Sequence, residues 1–257
     1  MARVRPAVES LDWQSSDLPR AGQNARPLAI AHRGDPIAHR ENTVAAIRSA
    51  LDCGADIVEI DVKTTEDGVS VVLHDDSLRR LWGVDRDIRT MSAAEVTGIG
   101  IPTLRAVLAL FEGRPAAVMV DMDSGEWARA ARVEAGSAVS TGRLRQEQVM
   151  WCGHIAGMRE VRQHDPDARV FLSWGEEALD GPPSDDLVTE LRPEAFNPHW
   201  QVLESGGRHW AAERHLPVSC WTVDDATVLA RILDGGVDAV ISNDIRALVA
   251  AVEEWHG

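Results

Sequence analysis

From residue 28 to the end of the chain, short apolar runs alternate with longer amphipathic stretches, and this alternation restricts the fold more than any other property of the sequence. The runs at 28–31, 57–62, 69–73, 117–121, 149–151, 169–172, 195–197, 218–221 and 239–241 are too short for most helices and read as strands. Between them, helical periodicity covers 43–53, 104–112, 126–138, 155–164, 185–191, 201–214, 226–234 and 244–255. Thr43, Ser124 and Asp225 stand where a helix needs an N-terminal cap. Gly54 and the pair Gly235-Gly236 stand where helices should stop. Strand and helix alternating over about 230 residues give a parallel sheet with helical crossovers.

About eight such units make a closed (β/α)₈ barrel of the TIM type the economical architecture. A doubly wound sheet is the alternative, but it calls for a glycine-rich phosphate turn after the first strand. Here that strand runs into Ala31-His32-Arg33-Gly34-Asp35, with neither GxGxxG nor a Walker-type lysine. Residues 1–26, with Pro6, Pro19 and Gly22, read as a polar leader arm, and 27–257 as a single barrel domain.

Charge narrows the function. The 257 residues hold 26 Lys plus Arg against 41 Asp plus Glu, a formal net charge of −15. Nucleic-acid binding draws on cations that neutralise phosphates, so this balance argues against it, as it does against anionic membrane surfaces. An anionic substrate needs a local positive centre, either a bound cation or a placed arginine. No apolar run approaches the roughly 20 residues of a membrane helix, and the N-terminus lacks the apolar core of a secretory signal. Cys53, Cys152 and Cys220 are odd in number and far apart, which fits buried reduced thiols and a cytoplasmic location. Lys63 is the only lysine.

In a barrel, chemistry sits where strands run into their C-terminal loops. His32, Arg33, Glu59, Asp61, His74, Asp75, Asp121, Asp123, Trp221, Asp224 and Asn243 all fall at such ends, with Glu41 and Asn42 in the first loop. Strand side chains alternate, so Glu59 and Asp61 share a face pointing into the barrel mouth while Ile60 and Val62 point out to the helices. Two confined carboxylates repel unless a cation lies between them. A hard ion such as Mg²⁺ or Ca²⁺ is the expected cofactor, with Asp121 as a third oxygen ligand. An arginine-paired carboxylate cluster is the alternative. His32 and His74 come from different strands and are the acid–base candidates. Arg33 offers a fork to phosphate, or else an ion pair to Glu41 or Asp61. Trp221 is placed to wall a small polar ligand, and His199 is a weaker candidate for the mouth.

Taken together, Ala31-His32-Arg33-Gly34, Glu41-Asn42-Thr43, Glu59-Ile60-Asp61, Thr65, Asp67-Gly68, His74-Asp75, Ile101-Pro102-Thr103-Leu104, Trp221-Thr222-Val223-Asp224 and Ile241-Ser242-Asn243 resemble the glycerophosphodiester phosphodiesterase family. The resemblance implies a TIM barrel of the phospholipase-C-like phosphodiesterase type. It also implies a divalent metal on Glu59, Asp61 and Asp121, an acid–base pair in His32 and His74, and phosphate on Arg33. The implied substrate is a small glycerophosphodiester, cleaved to glycerol 3-phosphate and an alcohol through attack by the neighbouring glycerol hydroxyl. Lysophospholipase D-like or sphingomyelinase D-like activity on an open mouth is the alternative. A third reading is a ligand-binding homologue without turnover, because Asp123 stands where the family commonly has lysine. Trp151-Cys152-Gly153-His154 and Ile245 also depart from the family pattern.

Overall fold

A computed structural model describes residues 26–175 and 181–256. The strands are β1 (Leu28–Ala31), β2 (Ile57–Thr64), β3 (Ser70–Val72), β4 (Ala117–Met122), β5 (Val149–Gly153), β6 (Arg169–Trp174), β7 (Ala195–Pro198), β8 (Ser219–Cys220) and β9 (Ala239–Ser242). The helices are α1 (Val44–Asp52), α2 (Arg79–Trp82), α3 (Ala93–Gly98), α4 (Leu104–Leu108), α5 (Gly125–Ser140), α6 (Ile155–His164), α7 (Asp185–Leu191), α8 (Trp200–Val202), α9 (Arg208–Glu213), α10 (Ala226–Asp234) and α11 (Ile245–His256).

Eight strands run parallel in the order β7-β6-β5-β4-β2-β1-β9-β8. The bridges Phe196↔Val218 and His199↔Trp221 join the two ends of that order and complete the ring. The expected barrel is therefore present. One of the nine expected strands lies outside it: β3 folds back antiparallel on the end of β2, pairing Val62 with Val72. The expected leader arm falls outside the described residues except for Arg26. That guanidinium grips Asp56 at 2.6 and 2.8 Å and pins the chain where it enters the barrel.

Alternation along the strands builds two apolar layers. Ile57, Met119, Met150, Phe171 and Ala195 fill the barrel floor, while Val58, Ile60, Val118, Val120 and Phe196 pack outward against helices. The caps form as expected: Thr43 accepts from Ala46 N, Ser124 from Trp127 N, and Asp225 from Thr227 N and Val228 N.

One expectation needs correction. The helix expected over 201–214 is broken into α8, a wide turn over Leu203–Gly207 and α9, because Gly206 adopts φ 119°. The segment between Asp76 and Gly100 carries α2, a 3₁₀ turn over Ile88–Thr90 and α3 around the apolar residues Leu78, Ile88 and Val96, for which the sequence pattern gives no helical signal. These helices are four and six residues long, too short to register as a helical period.

Candidate active site

The C-terminal ends of the strands enclose a cavity of about 400 Å³ lined by His32, Arg33, Glu59, Asp61, His74, Asp121 and Trp221 among others. Every residue singled out above for catalysis, metal or phosphate thus reaches one space. His199 does not; it caps α8 through Gln201 N and meets the Trp221 ring edge-on.

Glu59 and Asp61 project inward from β2, and the β2–β4 register sets Asp61 opposite Asp121. Oxygens of the three carboxylates lie within 4.8 Å of one another. Burial, then Asp61 and Asp121, push the Glu59 carboxyl well above the usual carboxylate range. Burial, then Asp61 and Asp123, push Asp121 up to about 7. The Arg33 amide donates to Glu59 Oε2 at 2.9 Å, and Asn42 Nδ2 donates to Asp61 Oδ2 at 2.6 Å. Three crowded, all-oxygen donors whose mutual repulsion is only partly relieved fit a hard divalent cation. Gly153 makes the crowding possible. Its φ is 106°, and a Cβ there would stand 2.5 Å from Asp121 Oδ1.

His32 is held in one tautomer. Asn243 Nδ2 donates to Asp224 Oδ2 at 2.7 Å, and a carboxylate only accepts, so the Asn243 amide has one orientation. Its Oδ1, 2.8 Å from His32 Nδ1, must then accept a proton from that nitrogen. Nε2 is left as a lone pair, 4.0 Å from Glu59 Oε2. Burial first, then Arg33, hold the imidazole below its ordinary range, so the ring is neutral near pH 7.

His74 faces this group from the loop after β3, with Nδ1 2.7 Å from Asp75 Oδ1. The Arg80 bond to Asp75 holds that carboxyl at about 2, so it is an anion that accepts from the ring. Nε2 of His74 is the nitrogen left for the cavity. Arg80 also grips Glu41 at 2.6 and 3.1 Å, and Glu41 accepts from Arg33 Nη1 at 3.0 Å. Arg33 Nε lies 3.1 Å from Asp61 Oδ2 but off the hydrogen-bonding angle, and it has no partner that meets that geometry. Both ion pairs raised as alternatives for Arg33 are therefore present at once.

Asp123 lines the cavity, yet its charge is not bare. Lys63, in the row Glu59, Asp61, Lys63 along β2, bonds Asp123, reaches Asp76 at 3.1 Å and rests over the Trp127 ring at 3.7 Å. In the sequence this lysine stands out as the only one but has no evident place in the site. Its even spacing from Glu59 and Asp61 was the available signal. Arg80 carried no such signal, because nothing in a loop of irregular spacing reports which carboxylates an arginine will bridge.

The fold and site together define a (β/α)₈-barrel protein with a candidate cation centre between two oriented histidines. Residues 32–247 match the model of the glycerophosphoryl diester phosphodiesterase family, and the chain belongs to that family. It is 26% identical over 246 residues to a glycerophosphodiester phosphodiesterase of Caldanaerobacter subterraneus, covering 89% of this chain and 99% of that relative. A glycerophosphodiester phosphodiesterase from Thermotoga maritima shares the fold at a TM-score of 0.72 and 22% identity, covering 88% and 99% of the two chains. An Oleispira antarctica phosphodiesterase solved with sn-glycerol-3-phosphate as product shares it at a TM-score of 0.74 and 20% identity, covering 89% and 97%. A segment of 71 residues is 39% identical to part of a Mus musculus lysophospholipase D, 22% of that protein's length.

Proposed function

We propose that the protein is a metal-dependent phosphodiesterase that converts glycerophosphodiesters to glycerol 3-phosphate and an alcohol. The observation that carries the reading is three carboxylates with converging oxygens, two buried and one half-buried, flanked in one cavity by two histidines whose Nδ1 atoms are both engaged. Glu59, Asp61 and Asp121 would hold the ion, Mg²⁺ or Ca²⁺ by their all-oxygen chemistry. When bound, it supplies positive charge that offsets the phosphodiester anion and the charge developing on it in the transition state.

The chain's own groups do the rest. His32 Nε2, neutral and unprotonated, accepts the proton of the glycerol hydroxyl next to the phosphate. That hydroxyl already sits beside phosphorus, so much of the entropic cost of attack is removed. His74 delivers a proton to the departing alcohol, and water then opens the cyclic phosphate with the two roles reversed. Arg33, held between Glu41 and Asp61, presents its remaining N–H groups to the phosphate oxygens. Trp221 walls the organic part of the substrate.

No helix among the described residues is long and apolar enough to cross a membrane. Cytoplasmic action of a single barrel domain on a small soluble diester belongs to the same reading, supported by three free thiols among the described residues. The test is hydrolysis of glycerophosphocholine and related diesters after chelation and after return of Mg²⁺, Ca²⁺ or Mn²⁺. Turnover that falls with the chelator and returns with an ion is expected. No turnover of any glycerophosphodiester with any of the three ions would overturn the reading.

A further inference from the structure

Each of the three cavity carboxylates has one oxygen already held by a donor of the protein. Glu59 Oε2 accepts from the Arg33 amide at 2.9 Å, Asp61 Oδ2 from Asn42 Nδ2 at 2.6 Å, and Asp121 Oδ2 from Cys152 Sγ at 3.5 Å. The Asn42 amide has one orientation, because its Oδ1 accepts from the Asp61 backbone N–H at 3.3 Å and leaves Nδ2 for the carboxylate. Cys152 is fixed by the sheet: the β4–β5 register sets it beside Asp121, and it lines the same cavity. Arg33 and Asn42 stand at φ 56° and 57°, two of four non-glycine residues in the left-handed region among the described residues. The loop after β1 thus carries its backbone strain at the two residues that deliver these donors. The other three oxygens, Glu59 Oε1, Asp61 Oδ1 and Asp121 Oδ1, accept no hydrogen bond from the described residues. None of them is sealed away from solvent, so all three open on the cavity.

A carboxylate with one oxygen bonded to a protein donor is oriented to bind an ion through the other. Three single oxygens fill half of an octahedron and leave about three positions for water or phosphate oxygens, which is the habit of Mg²⁺. Ca²⁺ takes about six to eight oxygens and often draws two from one carboxylate, which here would have to displace a donor. We propose that the Arg33 amide, Asn42 and Cys152 make the centre selective for a small octahedral ion, Mg²⁺ or its analogue Mn²⁺, over Ca²⁺. This rests on the metal-dependent phosphodiesterase reading and chooses between the ions that reading allows. Asn42 and Cys152 are positioning residues: they act on the ion through Asp61 and Asp121.

Ion binding is measured by calorimetry on wild type, Cys152→Ala, Cys152→Ser and Asn42→Gly, the glycine tolerating the positive φ of position 42. Wild type should bind Mg²⁺ at least as tightly as Ca²⁺. Water-proton relaxation by bound Mn²⁺, without substrate, should count about three water molecules on the ion. Loss of an outer donor typically costs about 10–100-fold in metal affinity. Cys152→Ala and Asn42→Gly should therefore weaken Mg²⁺ at least about tenfold, while Ca²⁺, able to take the released oxygen, should change less than about threefold. Cys152→Ser keeps a donor and should keep the wild-type preference. Equal losses for both ions, a wild-type preference for Ca²⁺, or fewer than about two waters on Mn²⁺ overturns the inference. If Asn42→Gly does not fold, Cys152→Ala carries the comparison, and the water count needs no variant. Binding is read without turnover, so absent hydrolysis beside normal ion binding counts against the phosphodiesterase reading alone.

Discussion

Lys63 and Asp123 form an ion pair at the edge of the cavity, the lysine 2% exposed and the aspartate side chain 56% exposed. An aspartate on the wall of a site for a phosphodiester would by itself repel the substrate. Lys63, shared with Asp76, offsets part of that charge and lessens the penalty that the sequence alone suggests.

Lys63→Met leaves Asp123 uncancelled. A unit charge at ~8 Å in a partly solvated site is worth about 1 kcal/mol, so KM for a glycerophosphodiester should rise about fivefold with kcat little changed. Lys63→Met with Asp123→Asn should restore KM. Steady-state kinetics of the two variants at low salt checks this, and the rise should shrink in 0.5 M salt (about a 4 Å Debye length). A double variant as impaired as the single one would show that the lysine matters through its packing on Trp127 instead.

Asp224 does not line the cavity, yet it should matter to the proton transfer. With Asp224→Asn, the Asn243 amide loses the acceptor that fixes its orientation, and His32 loses its single tautomer. We expect kcat to fall by about 10–100-fold, no more than the lower end of a full general-base contribution because His32 itself is retained, with KM close to wild type. Equal loss of substrate affinity would contradict the positioning role.

Asp121 is pushed up to about 7 and Glu59 well above its usual range, so the folded metal-free protein holds protons there that the unfolded chain has released. A native state that binds more protons loses stability as pH rises. The metal-free protein should therefore melt at a lower temperature at pH 8 than at pH 5.5 as far as this cluster is concerned. Asp121→Asn should flatten the slope, and Mg²⁺ or Ca²⁺ should raise the melting temperature most at the alkaline end. Thermal melts across pH, with chelator and with ion, measure this. Calorimetry in buffers of different ionisation enthalpy should show proton release when the ion binds below pH 7.

Arg80 ties the loop bearing His74 to the loop bearing Arg33 through Asp75 and Glu41. Arg80→Gln should lower kcat and raise KM together, because it loosens the acid–base residue and the phosphate fork at once. It should also let the Asp75 carboxyl rise from about 2, and the stability that Asp75 contributes above pH 4 and loses toward pH 2 should diminish. Kinetics and acid-side melts of this variant test the coupling.

The barrel was legible because inward and outward residues alternate strand by strand, and a parallel sheet repeats that signal around the ring. Glu59 and Asp61 could be placed on the inner face from their spacing alone, and Asp121 followed as the end of the next long apolar run. What connects these residues was not legible. The His32–Asn243–Asp224 chain spans opposite ends of the sequence, and the Arg80 bridge depends on α2, whose single turn leaves no period. Lys63 illustrates the intermediate case. Its inward position follows from alternation, but its pairing with Asp123 needs the β2–β4 register, which only tertiary structure provides. The break at Gly206 lay inside an otherwise helical pattern, where one glycine in positive φ outweighs its neighbours' propensities.

The bare Cα of Gly153 governs how far the pocket can be redesigned. If the cavity walls were randomised and variants selected for turnover on bulkier alcohols, Trp221 should admit many replacements. Position 153 should come back as glycine, since even an alanine methyl would displace an oxygen of the carboxylate trio. Diversity in such a family would accumulate on the aromatic side of the barrel and stop at β5.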